Sequence, residues 1–388
     1  AELPYKPLAA HINNEVVPLD TPITDPCDIR FVMIDTESGG RTYLRTLSLV
    51  LATAIHNVLP DYKLYIEHSI ANGYYCSIVD GGTPQEDDIA SIKEEMNRII
   101  EADLPIKRIV LPVDEAVMLL RERGDADAAT LIETSDMLYV PLHGIEGYFS
   151  PFYGSVAPST GVLYLYDLIP HLDGFLLRVP DRDCPERLAP IEIQPMMRNV
   201  IKEQDRLLEM LHLEYLGSVN RAIDEVRLSE MILISEAMQE KKITHIADRI
   251  AEGYNSGIRI VLISGPSSSG KTSFTNRLKT QLRTCFLQPK MISIDNYFLD
   301  RELTPRKPSG EYDFEALEAI DLKLFNSDIS RLLSGEEVPL PKFDFTSGKR
   351  VYKVETMKLA PGDILLLEGI HALNPQLLTE VDETALYR

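Results

Sequence analysis

The apolar residues change their spacing several times along the chain, and each change predicts an element. Short apolar runs over 8–12, 16–19 and 29–34, with a turn at Asn13 and Asn14 and a break at Gly39 and Gly40, predict a small β-rich unit. Residues 45–58 take up a helical period, and 63–78 read as strand with a turn at Asn72 and Gly73. A strongly charged helix is predicted over 85–101, with Ile89, Ile92, Met96, Ile99 and Ile100 as its apolar face, and another over 114–123. Residues 156–168 predict a short extended piece, a turn around Pro158 to Gly161 and a strand. Proline density between Pro170 and Pro195 marks a boundary, and 196–252 reads as helix broken near Gly217. Ile258, Ile260, Val261, Leu262 and Ile263 then form a β-branched, apolar run expected of a buried parallel strand. Phe274, Leu278 and Leu282 follow at helical spacing.

Between that strand and that helix lies GPSSSGKTS, a GxxxxGKT loop. Gly265 and Gly270 let the backbone fold back, so that N–H groups from Ser267, Ser268 and Ser269 and the new helix's positive end converge on one anion. Lys271 then reaches the β- and γ-phosphates, the Thr272 hydroxyl is placed to ligate Mg²⁺, and Ser273 stands in the first turn. The plain alternative is a Gly/Ser-rich turn with an incidental lysine. Two carboxylates follow at apolar strand ends. Asp295 comes after Met291, Ile292 and Ile294, where a general base for a hydroxyl acceptor would stand; a turn or helix-cap aspartate is the other reading. Glu368 ends Asp363, Ile364, Leu365, Leu366, Leu367 and precedes Gly369, as expected of a buried strand delivering a carboxylate to Mg²⁺. Asp313 is read either as the cap of a helix starting at Phe314 or as a sugar-hydroxyl partner. Lys342, Phe343, Asp344, Phe345 and Arg350 alternate around a Ser-Gly turn, a hairpin whose aromatic face either stacks on a base or packs in a core.

Composition narrows the partners. A chain of 388 residues with 44% hydrophobic residues supports two or three domains. A net charge of −21 argues against an extended nucleic-acid footprint. The four cysteines, Cys27, Cys76, Cys184 and Cys285, form no CxxC pair, which fits reduced thiols in a cytoplasm. No apolar run nears the roughly 18 residues a membrane helix needs. The expectation is a cytoplasmic protein without membrane contact, and its start and its end at Arg388 read as those of a fragment.

With GPSSSGKTS, SIDNYF, GEYDFEALEAID, PKFDF and LLLEGIHAL in this order, residues 258–388 resemble the uridine kinase and phosphoribulokinase family of P-loop kinases. The resemblance implies ATP as donor, Mg²⁺, Asp295 as general base with Lys271 as its catalytic partner, Asp313 as a ribose contact and Glu368 near the metal; Phe343 and Arg350 complete the expected substrate set. Uridine kinases carry a tyrosine and a histidine that contact uracil where this chain has Phe343 and Gly348, and another tyrosine where it has Phe298. A pocket without those groups loses much of its base discrimination. The family also continues past Arg388 with a lid and phosphate-clamping arginines.

Residues 41–168 are similar to the amino-terminal editing-type domain of threonyl-tRNA synthetase, through RTLSLVLATAIHNVLPDYKLYIEHSIANGYY and VAPSTG, and the preceding LAAHINNEVVPLDTPI resembles a TGS module. The synthetase's HxxxH pair falls here on Arg45 and Leu49, and its CxxxH pair on Phe152 and Val156. None of these four can do the same acid, base or metal chemistry.

The expected fold is therefore a multidomain α/β chain: a partial TGS-like module over 1–40, an α+β synthetase-like domain over 41–190, a helical linker over 191–252 and a P-loop kinase domain with a parallel sheet over 253–388. The leading function is ATP-dependent phosphorylation of a nucleoside or related small sugar. The alternative is an ATP-regulated tRNA- or RNA-binding protein without turnover, with RNA contact through the N-terminal region; a homo-oligomer is compatible with both. A GTPase is disfavoured because no NKxD sequence follows the loop. The fourfold loss at Arg45, Leu49, Phe152 and Val156 predicts that the chain does not deacylate seryl-tRNA. A deacylation assay showing hydrolysis above the uncatalysed rate would overturn that expectation.

Overall fold

The apolar periods sort into two compact units, residues 1–228 and 229–388, in a computed structural model that describes residues 3–79, 82–192, 195–307 and 310–388. The first unit opens with β1 (Ala9–Ile12), β2 (Glu15–Val17) and β3 (Ile29–Val32), an antiparallel sheet ordered β2-β1-β3. The next element, α1 (Glu37–Val58), runs through Gly39 and Gly40, which were expected to break the chain. Thr36 caps it, its Oγ1 accepting from the Gly39 amide at 3.1 Å. Gly39 is glycine for contact rather than for a turn, since a Cβ there would lie 1.7 Å from the Met33 carbonyl oxygen.

Behind α1 stand β4 (Lys63–Ile70) and β5 (Gly73–Val79), then α2 (Glu86–Glu101). The hairpin turns at Ala71 and Asn72, both at positive φ, one residue earlier than the sequence suggests. Ile89, Ile92, Met96 and Ile99 of α2 are buried as its period predicts, in one core with Leu47, Leu51 and Ile55 of α1. Three strands that carry little alternation, β6 (Lys107–Pro112), β7 (Tyr139–Ile145) and β8 (Tyr148–Pro151), form a second antiparallel sheet with α3 (Val113–Glu122) and α4 (Ala126–Glu133) inserted between the first two. The stretch 156–168 is not a strand up to its end: Thr160–Val162 forms a 3₁₀ turn, and β9 (Asp167–His171) only begins there, pairing with β10 (Gly174–Arg178) in the sheet β4-β5-β10-β9. Tyr43 of α1 fixes that stretch, its hydroxyl donating to the Leu165 carbonyl at 2.9 Å and accepting from the Tyr164 and Leu165 amides at 3.0 Å each.

The long helical stretch is three helices, α5 (Pro195–Leu211), α6 (Leu216–Asp224) and α7 (Leu228–Asn255). Gly217 lies inside α6 and interrupts nothing; it lets α6 approach the Leu131 backbone, 2.7 Å from where a Cβ would sit. In the second unit α7 is not a free linker. Its Ile243, Ala247 and Ile250 are buried against Leu278, Leu282, Ile364 and Leu366.

That unit centres on four parallel strands ordered β12-β15-β11-β16: β11 (Ile260–Ile263), β12 (Gln288–Ser293), β15 (Asp363–Glu368) and β16 (Leu386–Tyr387). Every residue of β11 and β15 is buried, as a sheet covered on both faces requires. Helix α8 (Lys271–Thr284) covers one face beside α7, and α9 (Leu322–Leu333) packs with Phe325, Ile329 and Leu332 in the core on the other. The hairpin β13 (Val338–Asp344) and β14 (Lys349–Met357) forms as predicted, with Phe343 opposite Arg350. No α-helix starts at Phe314. The chain makes a turn and a 3₁₀ segment at Leu317–Ala319, and the true cap is Asp321, whose Oδ1 accepts from Leu324 at 3.1 Å. Among the described residues no helix is long and apolar enough to cross a membrane.

Gly39→Ala should lower stability by roughly 3 kcal/mol or more, because the helix start and the Met33 backbone must separate. Urea unfolding followed by circular dichroism checks the loss.

Candidate active site

The parallel register brings three strand ends to one level. Ile263 of β11 and Ser293 of β12 both pair with Glu368 of β15, so the loop after β11, the turn after β12 and the acidic end of β15 share one edge of the sheet. The loop after β11 takes the backbone its composition requires. Ser268 and Gly270 are at φ +61° and +84°, and α8 begins at the next residue. A Cβ on Gly265 would meet Ser269 Oγ at 2.7 Å, so a side chain there would push the Ser269 hydroxyl aside. The Lys271 ammonium folds back over this loop and donates to the Pro266 carbonyl at 2.8 Å.

At the head of α8 the Thr272 hydroxyl donates to Glu368 Oε1 at 2.9 Å. Both metal-site candidates are therefore in direct contact, and Glu368 is buried. Gly369 behaves as the sequence suggests: its amide donates to the Ile263 carbonyl at 3.1 Å, and a Cβ on it would lie 2.8 Å from the Ile294 side chain. The loop cradle, the lysine and the Thr–Glu pair fit a triphosphate with Mg²⁺: Lys271 and the N–H groups of the loop and first turn would hold the phosphates, and Thr272 with Glu368 the ion.

Asp295 sits in a short 3₁₀ turn, Ile294–Tyr297, just past the end of β12. Burial pushes its carboxyl up; Lys271 and His371 pull it back, and Glu368 adds to the rise. These opposed charges place Asp295 in the same cluster as the lysine of the loop and the acid of β15. Two neighbours hold the turn. Asn296 Oδ1 accepts from the Phe343 amide at 3.4 Å, and the buried Tyr297 hydroxyl donates to Asp328 Oδ2 of α9 at 3.2 Å.

The remaining expected contacts divide. Asp313 caps a local turn, its Oδ1 accepting from the Glu315 amide at 3.2 Å. Phe343 is not an open stacking face. It is buried in an aromatic group with Phe298 and Phe345, at ring distances of 5.6 and 5.1 Å. Arg350 is engaged as well, its guanidinium paired with Asp321 at 3.0 Å. Where a side chain on Gly348 would project, the Arg301 guanidinium lies instead, 2.7 Å from the Cβ position. His371 is a further neighbour of this cluster: it draws the Asp295 carboxyl down, and its Nε2 is buried with no hydrogen-bond partner among the described residues. Its place three residues after a strand-ending glutamate was the available signal.

In the first unit the four synthetase-like positions do come to one region. Arg45 Nη1 donates to the Ser155 carbonyl at 3.4 Å and its guanidinium lies over Gly154, while Leu49 and Val156 are buried and Phe152 packs against the same core. Among the described residues no group of three or more His, Cys, Asp or Glu is arranged to hold a metal ion.

A buried parallel strand, a glycine-bounded loop carrying a lysine, and a Thr–Glu pair beside a raised aspartate define a P-loop nucleotide-binding domain of the phosphotransferase type. Residues 260–383 match the Phosphoribulokinase / Uridine kinase family, and the second unit carries a domain of that family. Among solved structures this part is similar to a "Possible Uridine Kinase" from Bacillus stearothermophilus, at 21% identity and a TM-score of 0.28 over 34% of this chain and 73% of that one. It is also similar to D-glycerate 3-kinase from Cryptococcus neoformans, at 17% identity and a TM-score of 0.24 over 34% of this chain and 52% of that one. The N-terminal region matches the editing region of threonine–tRNA ligases: 34% identity over 125 residues with that of Acetivibrio thermocellus, covering 32% of this chain and 20% of that protein. With the ligase of Carboxydothermus hydrogenoformans the identity is 26% over 163 residues, covering 42% of this chain and 26% of that protein. The chain thus spans about a fifth to a quarter of the length of these curated relatives.

Because the Asp295 carboxyl is raised in the folded chain, its proton favours folding at low pH, and that contribution is lost as pH rises through the raised value. Asp295→Asn should therefore unfold at a higher temperature than the wild type at neutral pH, with the gap closing below the ordinary carboxylate range. Thermal unfolding across pH checks both the direction and the closure.

Proposed function

We propose that the second unit transfers the γ-phosphoryl group of ATP to a hydroxyl of a small sugar-bearing acceptor, with nucleosides the first class to try. The observation that carries this reading is the convergence of Lys271, the Thr272–Glu368 pair and the raised Asp295 at one edge of the parallel sheet. In this reading the loop amides and Lys271 bind and orient the phosphate chain, and Thr272 and Glu368 hold Mg²⁺, which when bound supplies charge neutralisation at the phosphates. Asp295 accepts the proton of the attacking hydroxyl. Its raised carboxyl makes it a stronger base once ionised, and Lys271 beside it keeps the ionised form accessible. His371 stands where it can stabilise the ionised Asp295.

The acceptor side favours a sugar hydroxyl over reading of uracil. Phe343 is buried, Arg301 fills the space beside Gly348, and Arg350 is paired with Asp321, so the polar base contacts of uridine kinases have no counterpart at these positions. A secondary reading gives the first unit a role in RNA contact, supported by its likeness to threonine–tRNA ligases. With a net charge of −21, such a contact would be confined to a local patch.

A panel of nucleosides, sugars and sugar phosphates, assayed for phosphate transfer from labelled ATP, is expected to yield at least one acceptor. With it, Asp295→Asn should lower kcat by about 10²–10⁴ while leaving ATP affinity within a few-fold, and Lys271→Ala should weaken ATP binding itself. Wild-type turnover in the Asp295→Asn variant would remove Asp295 from the role of base.

A further inference from the structure

A cavity of about 760 Å³ adjoins the phosphate loop, touching Ser269, Gly270 and Lys271 on one side. It continues along α8 to Phe274 and Arg277. Arg277 stands about 9 Å from Lys271 by the helix rise, which is far enough to leave the phosphates and reach the nucleoside. There the cavity meets Ile246 and Arg249 of α7 and Tyr387 of β16. Its volume lies in the range of small-molecule sites.

The α7 wall is fixed in place. Ile243, Ala247 and Ile250 bury it against α8 and the sheet, Arg277 Nη1 donates to Gln239 Oε1 at 3.2 Å, and Gln281 Nε2 donates to Glu240 Oε1 at 2.6 Å. This helix ends before residue 260, where the family match begins, so the wall lies outside the matched residues. Its chemistry suits an aromatic heterocycle. Ile246 and Phe274 offer apolar surface, and the exposed Arg249 guanidinium, 5.7 Å from the Tyr387 ring centroid, is a planar cation that stacks on π-faces and donates to ring nitrogens.

We propose that α7 forms the nucleoside-side wall of the nucleotide site, with Ile246 and Arg249 contacting the base or ribose of the bound triphosphate. The inference rests on the reading of the loop as an ATP site, and it assigns a specificity role to a helix outside the kinase-family match. It separates two parts of the ligand: the loop holds phosphates, and α7 holds what they are attached to.

Isothermal titration of the full chain with MgATP and with inorganic tripolyphosphate tests it. Arg249→Ala should raise the Kd for ATP about five- to tenfold, the loss of one stacked cation. Ile246→Trp, which fills the cavity, should raise it tenfold or more. Neither variant should change tripolyphosphate binding by more than about twofold. Thermal unfolding identifies a variant that has lost its fold; Arg249 is exposed, so Arg249→Ala keeps the test open if Ile246→Trp misfolds. Unchanged ATP affinity in a folded Arg249→Ala variant overturns the inference while leaving the ATP reading intact. Equal weakening of ATP and tripolyphosphate also overturns it, since α7 would then act through the loop. A wild-type chain that binds neither ligand defeats the nucleotide reading itself.

Discussion

The site depends on the register of the parallel sheet at Glu368. Because Ile263 and Ser293 pair with the same residue of the central strand, the phosphate loop, the acidic strand end and the Asp295 turn leave the sheet at one level. Side chains alternate between faces along a strand, so a slip of one residue would turn Glu368 to the other face and separate it from Thr272. The continuous apolar run of β15 resists that slip poorly by pattern alone, since every residue of the strand is buried on one face or the other. Gly369 supplies part of the missing specification: its amide binds the Ile263 carbonyl, and its lack of a side chain admits Ile294.

Collecting acids and a lysine at a buried edge has an electrostatic cost, visible in the raised carboxyl of Asp295. The surrounding structure holds the cluster in place. Tyr297 and Asn296, the two residues after Asp295, are tied to α9 and to the β13–β14 hairpin. The Asp328 carboxyl that receives Tyr297 is itself pushed up by burial, an effect the tyrosine hydroxyl opposes. Asp295 is thus carried on a turn supported from two sides.

Which parts were legible in the sequence follows from which interactions are local. The GxxxxGKT loop encodes its own backbone, and Glu368 announces itself as an acid at the end of a run that must be buried. Asp313 and Phe314 show the limit. A capping aspartate followed by helical spacing is a local signal, yet the chain instead enters a turn and a 3₁₀ segment, with Leu317, Ala319 and Ile320 packing beside Phe298 and the helix deferred to Asp321. For Phe343 stacking and core packing stayed open for a related reason, and Arg350 stood beside it in the expected substrate set. An aromatic and a cation across a hairpin look the same whether they face a ligand or a neighbour, and only the fold brings Phe298 and Asp321 to them. The strands β6, β7 and β8 escaped because Val110 and Tyr139 stand exposed within or beside apolar runs, which blurs the alternation.

In the first unit the positions that align with the synthetase's ligands serve the packing. Two of the four positions that carry polar ligands in the synthetase pattern are here Leu49 and Val156, and both have become core. Apolar side chains at these buried positions leave no polar group there in need of a partner. The third, Arg45, is held beside Gly154 and Ser155, where its guanidinium can donate but neither accept a proton nor ligate a metal. The close fit of Arg45 to Gly154 makes that glycine, already at φ +112°, the residue on which the arrangement turns.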